Sequence, residues 1–62
     1  MRKVIDTEGV IVDAEQALGP QLLTIKGGVT RCASEGEWVL YSEGEIIGIV
    51  TNDEFIISFT FI

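Results

Sequence analysis

Residues 34–62 read SEGEWVLYSEGEIIGIVTNDEFIISFTFI, and the reading of this stretch decides the fold. It holds every aromatic residue of the chain (Trp38, Tyr41, Phe55, Phe59 and Phe61) and two copies of Ser-Glu-Gly-Glu, at 34–37 and 42–45. Glu43-Gly44 separates Trp-Val-Leu-Tyr from Ile-Ile-Gly-Ile-Val. Both flanks are β-branched or aromatic, and Gly supplies the positive φ that a two-residue turn needs. A two-residue loop there sets Tyr41 opposite Ile46, Leu40 opposite Ile47, Val39 opposite Gly48 and Trp38 opposite Ile49. One face then carries Trp38, Leu40, Ile47 and Ile49; the other carries Val39, Tyr41, Ile46 and Val50. Both faces are apolar, which is unlike a sheet with one side in water. Thr51-Asn52-Asp53-Glu54 is a polar break with room for one turn of helix. From Phe55 to Ile62 the chain alternates with period two, which predicts a terminal strand with Phe55, Ile57, Phe59 and Phe61 inward.

The order Gly36-Glu37-Trp38-Val39, then Gly44-Glu45, then Asp53-Glu54-Phe55 before a closing aromatic strand resembles the small PGDYG-type β proteins of phage and bacterial genomes. The likeness covers the last half of the chain. It departs from the family pattern at Glu35, where a proline is usual, and at Glu37, where an aspartate is usual. What the resemblance implies is a phage-type accessory protein with no defined chemistry. By analogy of size, it extends to phage anti-defence proteins that act as small oligomeric sponges for cyclic nucleotide signals.

At 62 residues the chain allows one domain, residues 1–62. A chain this short buries only about 60% of its unfolded surface and is marginal alone. With one cysteine and no histidine, neither an internal disulfide nor a zinc site is available. Oligomerisation is the remaining way to complete the core, and a homo-oligomer is expected. Ten acids against four bases give a net charge of −6. Such a surface argues against nucleic acid and anionic membrane as partners. Met1-Arg2-Lys3 leads to only two apolar residues before Asp6, unlike a signal peptide, and no apolar run approaches the ~20 residues of a membrane span. A lone thiol suits the cytoplasm, that of the host if the chain is phage-encoded.

Val4-Ile5 reads as a first strand, Thr7-Glu8-Gly9 as a turn and Val10-Ile11-Val12 as a second strand. Residues 13–18 read as strand continuing into a loop, with a short helix as the alternative, before Gly19-Pro20. Gly27-Gly28, between Gln21–Lys26 and Val29–Ala33, predicts a hairpin with a two-residue primed turn. Lys26 then faces Val29, Thr24 faces Arg31 and Leu23 faces Cys32. Thr24, Lys26 and Arg31 share one face, with no acid on either strand. A bidentate guanidinium and a point-charge ammonium suit an anion such as phosphate, against the plainer reading of a solvated face. Tyr41, beside Gly48, and Trp38 are the candidate stacking surfaces for a flat ring; the plainer readings are subunit contact for Tyr41 and core for Trp38. Glu35, Glu37, Glu43 and Glu45 read as turn acids, and Cys32 as buried and inert.

The sequence therefore predicts an all-β domain of about six or seven short strands in meander order, a small barrel or half-sandwich completed by oligomerisation. No nucleophile–base pair, metal set or cofactor motif is present, so catalysis is not expected. The leading function is sequestration of a small anionic, nucleotide-like signal of host anti-phage defence by Lys26, Arg31, Thr24, Tyr41 and Trp38. The alternative is an acidic interaction module that docks on a host or virion protein.

Overall fold

The computed structural model describes residues 1–62. Seven strands and one helix follow in order: β1 (Arg2–Asp6), β2 (Ile11–Gln16), β3 (Gln21–Ile25), β4 (Val29–Ala33), β5 (Trp38–Ser42), β6 (Glu45–Val50), α1 (Asn52–Ser58) and β7 (Phe59–Phe61). The fold is the small all-β arrangement that the β-branched runs and glycine turns call for, without a closed barrel. Strands form a five-stranded antiparallel sheet, ordered β6-β5-β2-β1-β7, and a separate β3-β4 hairpin. The order is not a meander. β2 pairs directly with β5, Asp13 opposite Tyr41 and Gln16 opposite Trp38, so β3-β4 is an excursion out of the main sheet. The excursion is pinned at its base: Ala17 N–H donates to the Glu37 carbonyl and Gly36 N–H to that of Ala17. Residues 13–16 are strand, with the loop beginning at Ala17.

The first turn forms as its residues require. Asp6 Oδ1 accepts the amides of Glu8 and Val10, at 2.8 and 2.9 Å, and Gly9 takes φ 86°. The Glu43-Gly44 loop also forms, with φ 53° and 79°, and Tyr41 faces Ile46. One step further the register shifts by one residue. Leu40 faces Gly48, Val39 faces Ile49 and Trp38 faces Val50, leaving Ile47 as the extra residue of a β-bulge. An isolated glycine within a strand is a usual companion of such a bulge. Trp38, Leu40 and Val50 therefore share one face, and Val39, Tyr41, Ile46 and Ile49 the other.

Both faces are apolar, and the chain covers each with its own elements. On the first, Val4, Val12, Ala14, Leu40 and Phe55 form the larger core, with Trp38, Val50 and Phe59 packed against it. On the second, Ala17, Ala33 and Val39 are buried under Leu23, Tyr41, Ile46 and Ile49. The second face thus meets the β3-β4 hairpin, where the sequence pattern had pointed to another subunit.

The closing segment corrects a further expectation. Residues 52–58 are helix, and only 59–61 are strand. Thr51 is the N-cap: its hydroxyl accepts the Glu54 amide at 3.1 Å, while Glu54 Oε1 accepts the Thr51 amide at 3.0 Å. This reciprocal capping box satisfies two amides and starts a helix in residues that also fit a period-two strand. Phe55 is consequently the buried ring, 3% exposed, whereas Ile57 points outward at 80%. Phe59 is half-buried, and Phe61 is 40% exposed.

The β3-β4 hairpin closes through a three-residue loop. Ile25 faces Val29, Thr24 faces Thr30, Leu23 faces Arg31 and Leu22 faces Cys32. Gly27 and Gly28 take φ 98° and 88°, and Gly28 N–H donates to the Ile25 carbonyl. Lys26 is drawn out of the ladder because its amide donates to Ile46 of β6, at 2.7 Å. A slip of one residue turns each side chain to the opposite face. Leu23, Arg31 and Ala33 lie on the face toward the sheet, and Leu22, Thr24, Thr30 and Cys32 on the other. Cys32 is accordingly exposed, not buried.

Candidate ligand-binding site at the hairpin

The hairpin differs electrically from the rest of the chain. Between Glu15 and Glu35 there is no acid, and Lys26 and Arg31 are the only charges. That stretch carries +2, so the remainder carries −8 within the total of −6. An anion approaching an acidic protein is steered to such a segment.

Three of the five candidate residues come together. Thr24, Lys26 and Tyr41 line one hollow of about 390 Å³, with Gly44, Glu45 and Ile46. Tyr41 reaches it from β5, opposite Ile46, and Lys26 from the hairpin loop held against that same residue. Burial, and after it the Glu15 carboxylate, push the Tyr41 hydroxyl above its usual pKa, so it stays protonated and able to donate. Lys26 Nζ lies 3.9 Å from Glu45 Oε2, both side chains well exposed. A pair this loose and solvated holds its lysine weakly.

Arg31 stands next door. It lines an adjoining hollow of about 310 Å³ with Val29, Ile47, Gly48 and Ile49, and Ile25 borders both hollows. The register places Arg31 and Thr24 on opposite faces of the hairpin, against the expectation that they share one. The two ion pairs of the chain are Lys3–Asp13 and Lys26–Glu45, which leaves the Arg31 guanidinium without a carboxylate.

Trp38 is elsewhere. Its ring stacks on Phe55 with centroids 4.0 Å apart and planes 7° apart, on the α1 side of the sheet. Its Nε1–H donates to Asn52 Oδ1 at 2.9 Å. Trp38, Phe55, Ile56, Phe59 and Phe61 line an aromatic groove of about 390 Å³ there. Trp38 is therefore a half-buried member of the core and cannot reach a ligand at the hairpin.

Glu45 and Ile46 are the site residues that the sequence reading missed. Their place depends on β3 lying beside β6, and no local pattern encodes that contact. Of the turn acids, Glu37 has a structural partner, accepting the Ser34 amide at 2.6 Å. No group of three or more Cys, Asp or Glu side chains is arranged to hold a metal ion. No helix is long and apolar enough to cross a membrane. No family model, curated protein or solved structure matches the chain.

Proposed function

We propose that this chain is a non-catalytic binding protein that takes a small anionic, nucleotide-like ligand at the hairpin. The observation that carries the reading is the acid-free segment 16–34, with an unpaired Arg31 beside the hollow of Thr24, Lys26 and Tyr41. Arg31 and Lys26 meet phosphate from neighbouring hollows, the Tyr41 hydroxyl donates a hydrogen bond, Thr24 borders the hollow from the outer face of the hairpin, and the Tyr41 ring offers an apolar side to a base. Both hollows are shallow, so enclosing a nucleotide takes a second subunit, and the working form is a homo-oligomer. The resemblance to small phage proteins supplies the biological setting: sequestration of a signal nucleotide of host defence, in the host cytoplasm.

Calorimetry with a panel of cyclic and linear nucleotides tests this. Losing one charge-assisted contact costs about 1.5–3 kcal/mol, so Arg31→Ala and Lys26→Ala are each expected to weaken binding roughly ten- to a hundredfold. A parent protein that binds none of the panel, or an Arg31→Ala variant that binds as the parent does, refutes the reading. The function then passes to an interaction module that docks on a protein. That second reading rests on Leu18 and Leu22, 88% and 78% exposed around the hairpin base, in a chain with few buried residues.

A further inference from the structure

The sheet curls around its α1 face. β2 and β1 lie between β5 and β7, a span of about 14 Å at the usual strand spacing. Yet the Trp38 ring on β5 and the Phe61 ring on β7 have centroids 5.7 Å apart. Phe55 of α1 lies against both, and Phe59 against Phe55. The concavity is the aromatic groove of about 390 Å³, a volume within the roughly 300–1,000 Å³ of small-molecule sites. Its rings are held in place, since the Trp38 Nε1–H bond to Asn52 pins the indole and Phe55 is buried. The planes of Trp38, Phe55 and Phe59 are nearly parallel, 7° and then 17° apart. A further flat ring extends such a stack.

A cation stands at the rim. Arg2 and Val4 lie two residues apart on β1 and so share a face, and Val4 belongs to the core beneath the groove. The Arg2 guanidinium does not line the groove itself, but it lies 4.1 Å over the Phe61 ring, which does. Lys3 faces the other way and pairs with Asp13, while Lys26 and Arg31 belong to the hairpin. Arg2 is therefore the one cationic side chain on this face. The two ion pairs of the chain leave it without a carboxylate, and a guanidinium over a ring keeps N–H donors for one.

The geometry points to a second binding site in this groove, for a small aromatic carboxylate. The ligand's ring takes the lining of Trp38, Phe55, Ile56 and Phe59, and its carboxylate meets Arg2 beside Phe61. Two features select this class together. The aromatic lining has no use for a bare inorganic anion, and an unpaired cation beside an apolar lining favours an anionic head over a neutral one. Charge also orients the ligand. Asp53 and Glu54 follow Asn52 in the first turn of α1, so a carboxylate at that end of the groove would meet like charge. The site is independent of the hairpin hollows, which lie across the sheet on its second face.

Two-dimensional amide NMR on the isotope-labelled whole chain, titrated with naphthoate, naphthamide and decanoate, tests it. Trp38 is the sole tryptophan, so its indole N–H gives one signal inside the groove. Naphthoate is expected to shift that signal and the Phe61 amide while leaving Gly27 and Gly28 in place. It is expected to bind about fivefold more tightly than neutral naphthamide, as for one exposed ion pair, and about two- to tenfold more tightly than decanoate, which has no ring to stack. Arg2→Gln is expected to lower naphthoate to the affinity of naphthamide and to leave naphthamide unchanged. Ile56→Glu, at an exposed lining residue, is expected to weaken naphthoate more than naphthamide. Circular dichroism verifies that both variants keep the fold. No shift of the Trp38 signal, or shifts at Gly27 and Gly28 in its place, overturns the inference. So does an Arg2→Gln variant that binds naphthoate as the parent does, or decanoate that binds as tightly as naphthoate. A chain that binds nucleotide but no naphthoate loses only this site, whereas one that binds naphthoate but no nucleotide keeps it and loses the hairpin reading.

Discussion

Phe55→Ala compared with Phe59→Ala reads out how the closing segment packs. Phe55 is 3% exposed and lies against three rings: Trp38 at 4.0 Å, Phe59 at 5.3 Å and Phe61 at 5.6 Å between centroids. Removing a buried phenyl costs about 3–5 kcal/mol, the sum of lost transfer energy and the cavity left behind. A chain of 62 residues has a total stability of about 3–9 kcal/mol. Phe55→Ala therefore removes between a third and all of it. For a domain of this size 1 kcal/mol shifts the midpoint by about 4–8 °C, so a drop of at least ten degrees is expected. Phe59 is half-buried at the rim of the same cluster, and its loss is expected to cost roughly 2 kcal/mol. Thermal unfolding followed by far-ultraviolet circular dichroism, at one fixed protein concentration, gives the ranking. Were Phe59→Ala equally or more destabilising, residues 55–62 would be packing as one continuous strand and the helix would be wrong.

Three further outcomes are expected. Thr51→Ala removes the hydroxyl that caps the Glu54 amide and is expected to cost about 1 kcal/mol, read as faster exchange of that amide. The Thr51 amide first, and its hydroxyl second, hold the Glu54 carboxyl below its usual range. A depressed carboxylate pKa stabilises the fold at neutral pH, and that contribution is lost as pH falls through the carboxylate range to the folded value. Thr51→Ala keeps the backbone bond, so the acid limb of the stability curve is expected to flatten only in part. Cys32 is exposed, and a thiol reagent is expected to titrate it fully in the native protein; protection until denaturant is added would restore the two-residue hairpin loop.

What the sequence conveyed well was local. Glycines and β-branched runs located the turns, and Glu43-Gly44 fixed its own loop length and the pairing of Tyr41 with Ile46. Each error began one contact beyond such local information. The Gly27-Gly28 pair marked its turn, but loop length depended on the Lys26 amide finding Ile46 on another element. Ile47 bulged beside Gly48, a glycine whose presence in a strand was the available signal. At 51–54 the sequence reads as a polar break with room for one turn of helix, and the alternation of 55–62 as strand; helix won through Ser58 because the Thr51–Glu54 cap satisfies two amides at once. Strand order was not legible, since neither β2 beside β5 nor β1 beside β7 has a sequence signature. The candidate site inherits this pattern. Thr24, Lys26 and Tyr41 meet, while Arg31 is displaced by the register of the hairpin and Trp38 lies on the other face of β5 from Tyr41, three residues away along the strand.

The pairing of β1 with β7 has a consequence for how the chain folds. Val4 and Phe61 lie opposite each other although almost the whole sequence runs between them. Closing a loop of that length costs entropy before any contact repays it, and folding slows as such non-local pairings accumulate. β1-β2, β3-β4 and β5-β6 can each form around a tight turn, but β1 keeps an open side until the closing segment arrives. An intermediate with β1 unpaired exposes Val4 and its neighbours, and it is the species in which mispairing between molecules would begin.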